Sequence, residues 1–119
     1  MMVGMAHEQA GGDGAPLRVL RVGEVDLDLD GIAVRGPRGA VPLSYREFLL
    51  LRCLMDNAGR VMARGELMGA GWGDSPLTCG KRIDVYVGRL RGALSRCTGA
   101  EHVRTVRAVG YVFDLPESL

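Results

Sequence analysis

The stretch that most constrains this chain is residues 81–96, KRIDVYVGRLRGALSR. Ile83, Val87, Leu90 and Leu94 recur at i, i+4, i+7 and i+11, which places them on one stripe of an α-helix. At about 100° per residue, the other side gathers Lys81, Arg82, Val85, Gly88, Arg89, Gly92 and Arg96. Asp84, the single acid of the stretch, falls near the helix start, where the macrodipole favours it. A helix of this pattern packs its aliphatic side into a core and turns a cationic, thinly covered side outward. Such a side suits a polyanion, and the major groove of DNA admits one helix. A solvated basic face without a ligand has the same pattern, so the helix alone leaves both readings open.

The 119 residues suffice for one domain with a modest core. A hydrophobic fraction of 47% and a charged fraction of 24% are those of an ordinary globular protein. Net charge is only +1, but its distribution is uneven. Residues 1–40 carry four arginines against six acids, whereas residues 80–107 carry seven basic side chains against two acids. The positive charge therefore concentrates on and after the outward helix face. Cys53, Cys79 and Cys97 are odd in number and lack a C-x-x-C spacing, which reads as reduced thiols rather than a disulfide framework or zinc site. His7 and His102 lie far apart with no ligand cluster, so neither a metal nor a cofactor is expected. No apolar run reaches the ~18 residues of a membrane span. MMVGMAHEQA lacks the basic and apolar regions of a signal peptide, and the expected location is the cytoplasm with no membrane partner. No nucleophile–base pair, metal set or phosphate-cradling loop is present, so an enzyme is not expected.

Residues 1–16, rich in Gly, Ala and polar groups, are expected to form a disordered tail. From Leu17 the period changes to that of short strands, LRVLRV, EVDLDLDG, IAVRG and AVPL, cut by Gly23, Gly31 and the Gly36-Pro37-Arg38-Gly39 turn. Val25, Leu27 and Leu29 alternate with Asp26, Asp28 and Asp30, which predicts one buried face and one wet acidic face. The aspartates do not complete a calcium loop, since Pro37 stands where a closing Glu is needed. Ser44-Tyr45-Arg46-Glu47 is a capping-box pattern that opens a first helix, stopped by Asn57-Ala58-Gly59. A short extended piece at 60–62 leads to a second helix from about Ala63 to Ala70, anchored by Leu67, with glycines around Trp72 ending it. The third helix is that of residues 81–96. Val103, Thr105 and Val106, then Tyr111, Val112 and Phe113, flank Ala108-Val109-Gly110 as a β-hairpin. The order predicts an α+β winged helix-turn-helix with an amino-terminal antiparallel sheet, three helices and a carboxy-terminal hairpin wing.

The words of the sequence now carry a family resemblance. L-S-x-x-E-F-x-L-L at 43–51, Gly59-Arg60-Val61, R-x-E-L at 64–67 and Trp72-Gly73 stand in order. I-D-V-Y-V-x-R-L-R at 83–91 and T-V-R-x-V-G-Y-x-F at 105–113 follow. The chain resembles the winged-helix effector domain of OmpR/PhoB-type response regulators from about residue 17 to 115. The resemblance implies a bacterial, sequence-specific DNA-binding transcriptional regulator tied to two-component phosphorelay signalling. Its third helix would enter the major groove and its wing would approach the minor groove. Carried over residue by residue, Arg82, Val85 and Arg89 would contact bases. Arg64, Trp72, Lys81, Tyr86, Arg91, Thr105 and Tyr111 would contact or flank the DNA backbone, and Arg107 would reach the minor groove. Asp74, Ser75, Pro76, Leu77 and Thr78 resemble a loop that in relatives faces RNA polymerase. Double-stranded DNA bearing direct repeats, with self-association of two copies on it, is the implied partner.

The departures are specific. Gly80, Gly88 and Gly92 each cost the third helix about 1 kcal/mol against Ala, and Gly88 offers no side chain where relatives usually carry a polar one. Residues 1–16 cannot form the phosphate-accepting domain that precedes this one in the usual regulator. The chain therefore reads either as a piece of a two-domain regulator or as a stand-alone one, the Met start favouring the second. The alternative function is a protein-interaction module of the same fold, docking on polymerase or another regulator with DNA binding weakened or lost.

Overall fold

A computed structural model describes residues 6–10, 16–73 and 81–116, with side chains for 18–73 and 82–116. Strands β1 (Ala6–Ala10), β2 (Pro16–Val22), β3 (Val25–Asp28), β4 (Ala33–Gly36) and β5 (Gly39–Pro42) form one antiparallel sheet in chain order. Helices α1 (Tyr45–Asp56), α2 (Arg64–Trp72) and α3 (Lys81–Thr98) follow, with the two-residue strand β6 (Met62–Ala63) between the first two. Strands β7 (Val103–Val106) and β8 (Gly110–Phe113) close the chain, and the second sheet has the order β6-β8-β7. This is the winged-helix architecture expected from the order of sequence signals.

The register of the first sheet explains the alternation. Ala6, Leu20, Leu27, Val34 and Val41 stand opposite one another across the five strands, and Leu20, Leu27 and Val34 are fully buried against the helices. Two expectations fail here. The amino-terminal 16 residues were expected to be a disordered tail, yet Ala6–Ala10 pair with Pro16–Leu20 as an outer strand. Backbone hydrogen bonding makes that strand, so its polar side-chain pattern gave no period to detect. The acidic face is not uniformly wet either, because Asp28 is buried. Its Oδ1 accepts from the N–H groups of Asp30 (3.1 Å) and Gly31 (2.8 Å), and its Oδ2 accepts from Arg35 (3.0 Å). Asp28 thus organises the turn after β3, as aspartate side chains do when they bond the backbone two and three residues on.

The capping box of α1 is complete. Glu47 N–H donates to Ser44 Oγ (3.2 Å) and Ser44 N–H to Glu47 Oε1 (2.9 Å), an arrangement of about 1 kcal/mol per cap. Helix α2 has half of such a box, with Glu66 accepting from Ala63 N–H at 2.9 Å. It begins at Arg64 and ends at Trp72, so Trp72 is its last helical residue rather than part of the loop beyond it. Helix α3 is the longest element. Ile83, Val87, Leu90 and Leu94 are at most 1% exposed, each contributing about 1.5–3 kcal/mol of apolar burial. They meet Leu50, Leu51, Leu54, Leu67 and Phe113 in a single core.

Two close backbone approaches lock this helix-bearing core to its sheets. A Cβ on Gly36 would lie 2.5 Å from the carbonyl oxygen of Cys97, and Arg38 N–H donates to that same oxygen at 2.8 Å. The β4–β5 turn is thereby docked on the last turn of α3. At the other sheet, a Cβ on Gly110 would lie 1.9 Å from the Met62 carbonyl oxygen, so only glycine permits β8 to pair with β6.

Candidate nucleic-acid interface

With its aliphatic stripe in the core, α3 turns Arg82, Val85, Gly88, Arg89 and Arg96 outward. Arg82, Arg89 and Arg96 recur every seven residues and so form one line along the helix. Val85 is 54% exposed, unusual for a side chain that could have been buried. A Cβ at Gly88 would meet nothing within 4 Å, which leaves the middle of the helix face flat. The helix-turn-helix brings Trp72 to Tyr86, with ring centroids 5.3 Å apart in an edge-on arrangement. The Arg89 guanidinium lies 5.0 Å above the Tyr86 ring, and the Arg46 guanidinium 4.9 Å above Trp72. Arg46 Nε also donates to the Gly71 carbonyl at 3.0 Å. Arg46, Trp72, Tyr86 and Arg89 therefore form a continuous run of cation–aromatic and edge-on aromatic contacts that steadies Arg89. Arg46 carried no signal in the sequence, because its partner lies 26 residues away.

The wing stands beside this face. Its turn, Arg107-Ala108-Val109, is exposed, with Val109 50% accessible and Ala108 held at φ 65°. Val109 N–H donates to the Val106 carbonyl (3.0 Å), and Arg64 N–H to the Val109 carbonyl (3.3 Å), tying the turn to the start of α2.

Several residues expected at the DNA backbone are engaged within the protein. Arg91 Nε donates to the Val103 carbonyl (3.1 Å) and Arg91 Nη2 to Thr105 Oγ1 (2.7 Å), and its guanidinium lies 5.6 Å above the Tyr111 ring. Tyr111 is 5% exposed and its hydroxyl donates to Asp84. Arg64 makes a two-pronged pair with the same carboxylate at 2.7 and 3.2 Å. The Arg64 bonds, then the Tyr111 hydroxyl, hold the Asp84 carboxyl below the usual carboxylate range. Burial, followed by the bond to Asp84, pushes the Tyr111 phenol up. Thr105 remains exposed, with its hydroxyl proton available. The side chain of Lys81 and the loop Asp74, Ser75, Pro76, Leu77 and Thr78 lie outside the described residues.

The charge balance of this surface is its distinctive property. Among the described residues, Arg82, Arg89, Arg96 and Arg107 have no carboxylate within 4 Å, nor do Arg38, Arg46 and Arg91, of which Arg46 and Arg91 are engaged by backbone carbonyls and aromatic rings, whereas Arg18, Arg21, Arg35, Arg52, Arg60, Arg64 and Arg104 each have one. Among the described residues no group of three His, Cys, Asp or Glu side chains converges as a metal site. No described helix is long and apolar enough to cross a membrane.

Comparison with known proteins gives this arrangement its family. Residues 38–113 match the family described as transcriptional regulatory protein, C terminal. The phosphate regulon transcriptional regulatory protein PhoB of Rhizobium meliloti is 39% identical over 96 residues, covering 81% of this chain and 42% of PhoB. The sensory transduction protein RegX3 of Mycolicibacterium smegmatis is 36% identical over 112 residues, covering 93% of this chain and 48% of RegX3. The chain thus spans less than half the length of these two relatives. Among solved structures, the Klebsiella pneumoniae RstA DNA-binding domain in complex with the RstA box is 28% identical, with a TM-score of 0.68 over 81% of this chain and 96% of that one. The AdeR response-regulator DNA-binding domain in complex with an intercistronic region is 27% identical, with a TM-score of 0.69 over 81% and 98%. This chain belongs to the OmpR/PhoB-type family of winged-helix, DNA-binding carboxy-terminal domains of transcriptional response regulators.

Proposed function

We propose that this chain binds double-stranded DNA sequence-specifically and regulates transcription from within the cytoplasm, acting as a binder and not as a catalyst. Residues 17–115 would be the DNA-binding domain. The observation that carries the reading is a group of exposed guanidinium groups without carboxylate partners among the described residues, Arg82, Arg89 and Arg96 on α3 and Arg107 on the wing. Unneutralised arginines at one surface match a polyanion, and their planar donors fit guanine edges and phosphates. In this reading Arg82 and Arg89 donate to base edges in the major groove, and Val85 packs on a thymine methyl. Arg107 enters the minor groove, where narrow A·T-rich segments concentrate negative potential. Arg64, Lys81, Tyr86 and Thr105 flank these contacts at phosphates, while Trp72, Arg91 and Tyr111 support them from behind. Two copies on direct repeats, associating on the DNA, and a polymerase-facing role for Asp74, Ser75, Pro76, Leu77 and Thr78 are parts of the same reading that rest on family resemblance.

The test is selection of bound fragments from a genomic DNA pool at two salt concentrations, with Arg89→Ala in parallel. Fragments that share a short repeated motif, bind less at high salt and are lost with Arg89→Ala are the expected result. Failure to enrich, or equal enrichment by the variant, overturns base reading and turns the search to protein partners of the same fold.

A further inference from the structure

A carboxylate on a surface that attracts phosphates is out of place unless it serves another purpose. The Asp84 side chain is 53% exposed on the first turn of α3, two residues from Arg82 and one from Val85. Three elements converge on it. It belongs to α3, its Arg64 partner begins α2, and its Tyr111 partner belongs to β8 of the wing. The Arg64 backbone N–H, in turn, holds the wing turn through the Val109 carbonyl. Neither an isolated helix-start acid nor a solvated surface charge needs a two-pronged arginine and a buried tyrosine hydroxyl at once.

We infer that Asp84 is a positioning residue for recognition, fixing the spacing between the base-reading face of α3 and the tip of the wing at the expense of general affinity for DNA. This rests on the DNA-binding reading above. The carboxylate repels phosphate and restrains one arginine, so it weakens binding to every sequence alike. In return it links the element that carries Arg82, Val85 and Arg89 to the element that carries Arg107. A reader with two prongs at fixed separation rejects sites in which the major-groove motif and the A·T-rich segment are out of phase. Without the link the prongs adjust separately, and such sites become acceptable.

The experiment measures affinity by fluorescence anisotropy for the selected site, for the same site with one base pair inserted between motif and flank, and for unrelated DNA. Wild type, Asp84→Asn and Tyr111→Phe are compared, with circular dichroism melts confirming folding. Asp84→Asn is expected to bind unrelated DNA more tightly, with a salt slope steeper by about one phosphate contact. Its preference for the selected site over the inserted one should fall about tenfold, the scale of one charge-assisted hydrogen bond. Tyr111→Phe keeps the packed ring and the net charge. It should lose the same spacing preference with no change in salt slope. Equal tightening on all three DNAs by Asp84→Asn, or an unchanged spacing preference in Tyr111→Phe, overturns the inference while DNA recognition stands. A wild type that does not distinguish the selected site from unrelated DNA overturns both.

Discussion

Two arginine-bearing surfaces of this domain make opposite use of the same side chain. On the outer face of the amino-terminal sheet, Arg21 pairs with Asp26 (2.6 Å) and Arg35 with Asp28 (3.0 Å). On α3 and the wing, Arg82, Arg89, Arg96 and Arg107 are left without such partners among the described residues. The difference comes from register rather than composition. Strand pairing sets Arg21 and Arg35 on either side of Asp26, whereas Asp84 in the first turn of a helix cannot neutralise Arg89 and Arg96, which follow it outside i+3 and i+4 spacing. Availability for an external polyanion is therefore decided by the acids, not by the number of arginines.

The strongest way to break the contrast is to give the reading face its own acid. Gly88→Glu has open space, places a carboxylate next to Arg89 and adds helix propensity. It is expected to lower DNA affinity about a hundredfold, since like charges facing each other across an interface cost several kcal/mol. Its melting temperature should hold or rise, which calorimetry would check. Arg107→Ala should come next, weakening binding about tenfold on sites with A·T-rich flanks and less when the flank is G·C-rich. Titrations on paired oligonucleotides would show whether that dependence on flank exists.

The two regions meet at His102, and acid offers a way to loosen the seam without changing any arginine. Its ring stacks on Phe113 with centroids 5.7 Å apart, and Nε2 lies 2.8 Å from Thr98 Oγ1. Burial holds its proton affinity below the ordinary value, only partly offset by Glu24 at 3.7 Å and by Asp114. The unfolded chain then binds this proton first. Stability is complete above the ordinary histidine value near 6.5 and falls as the pH drops through it. Melting temperatures between pH 7.5 and pH 5.5 should decline for wild type and stay flatter for His102→Gln. The smallest effect is expected from Arg21→Ala on the sheet, below about 1 kcal/mol of stability and without change in DNA affinity. A substantial loss of DNA binding in that variant would mean that the sheet face, too, meets the nucleic acid.

Much of this was readable in the residues, and the reasons differ by element. The stripe of Ile83, Val87, Leu90 and Leu94 is buried as its period requires, and that fixes which arginines face out. The Ser44–Glu47 box is a short-range device and could be read directly. What escaped was contact at long range or through the backbone. The pairing of Ala6–Ala10, the bonds of Arg91 to β7 and the convergence of Arg64 and Tyr111 on Asp84 join residues whose separation carries no period. Asp28 misled for a different reason. Alternation assigns a face, but a turn folding over that face can still enclose the side chain.

The backbone contact at Gly110 has a consequence for how such a protein can change. The root of the wing is stitched through main-chain atoms of Met62 and Ala63, so position 110 admits no side chain whatever the tip carries. The exposed residues 107–109 touch the rest of the domain chiefly through their own backbone. A lineage, or an engineer, can therefore exchange the tip like a bit in a fixed chuck, trying new surface chemistry at 107–109 while the chuck itself stays closed to variation.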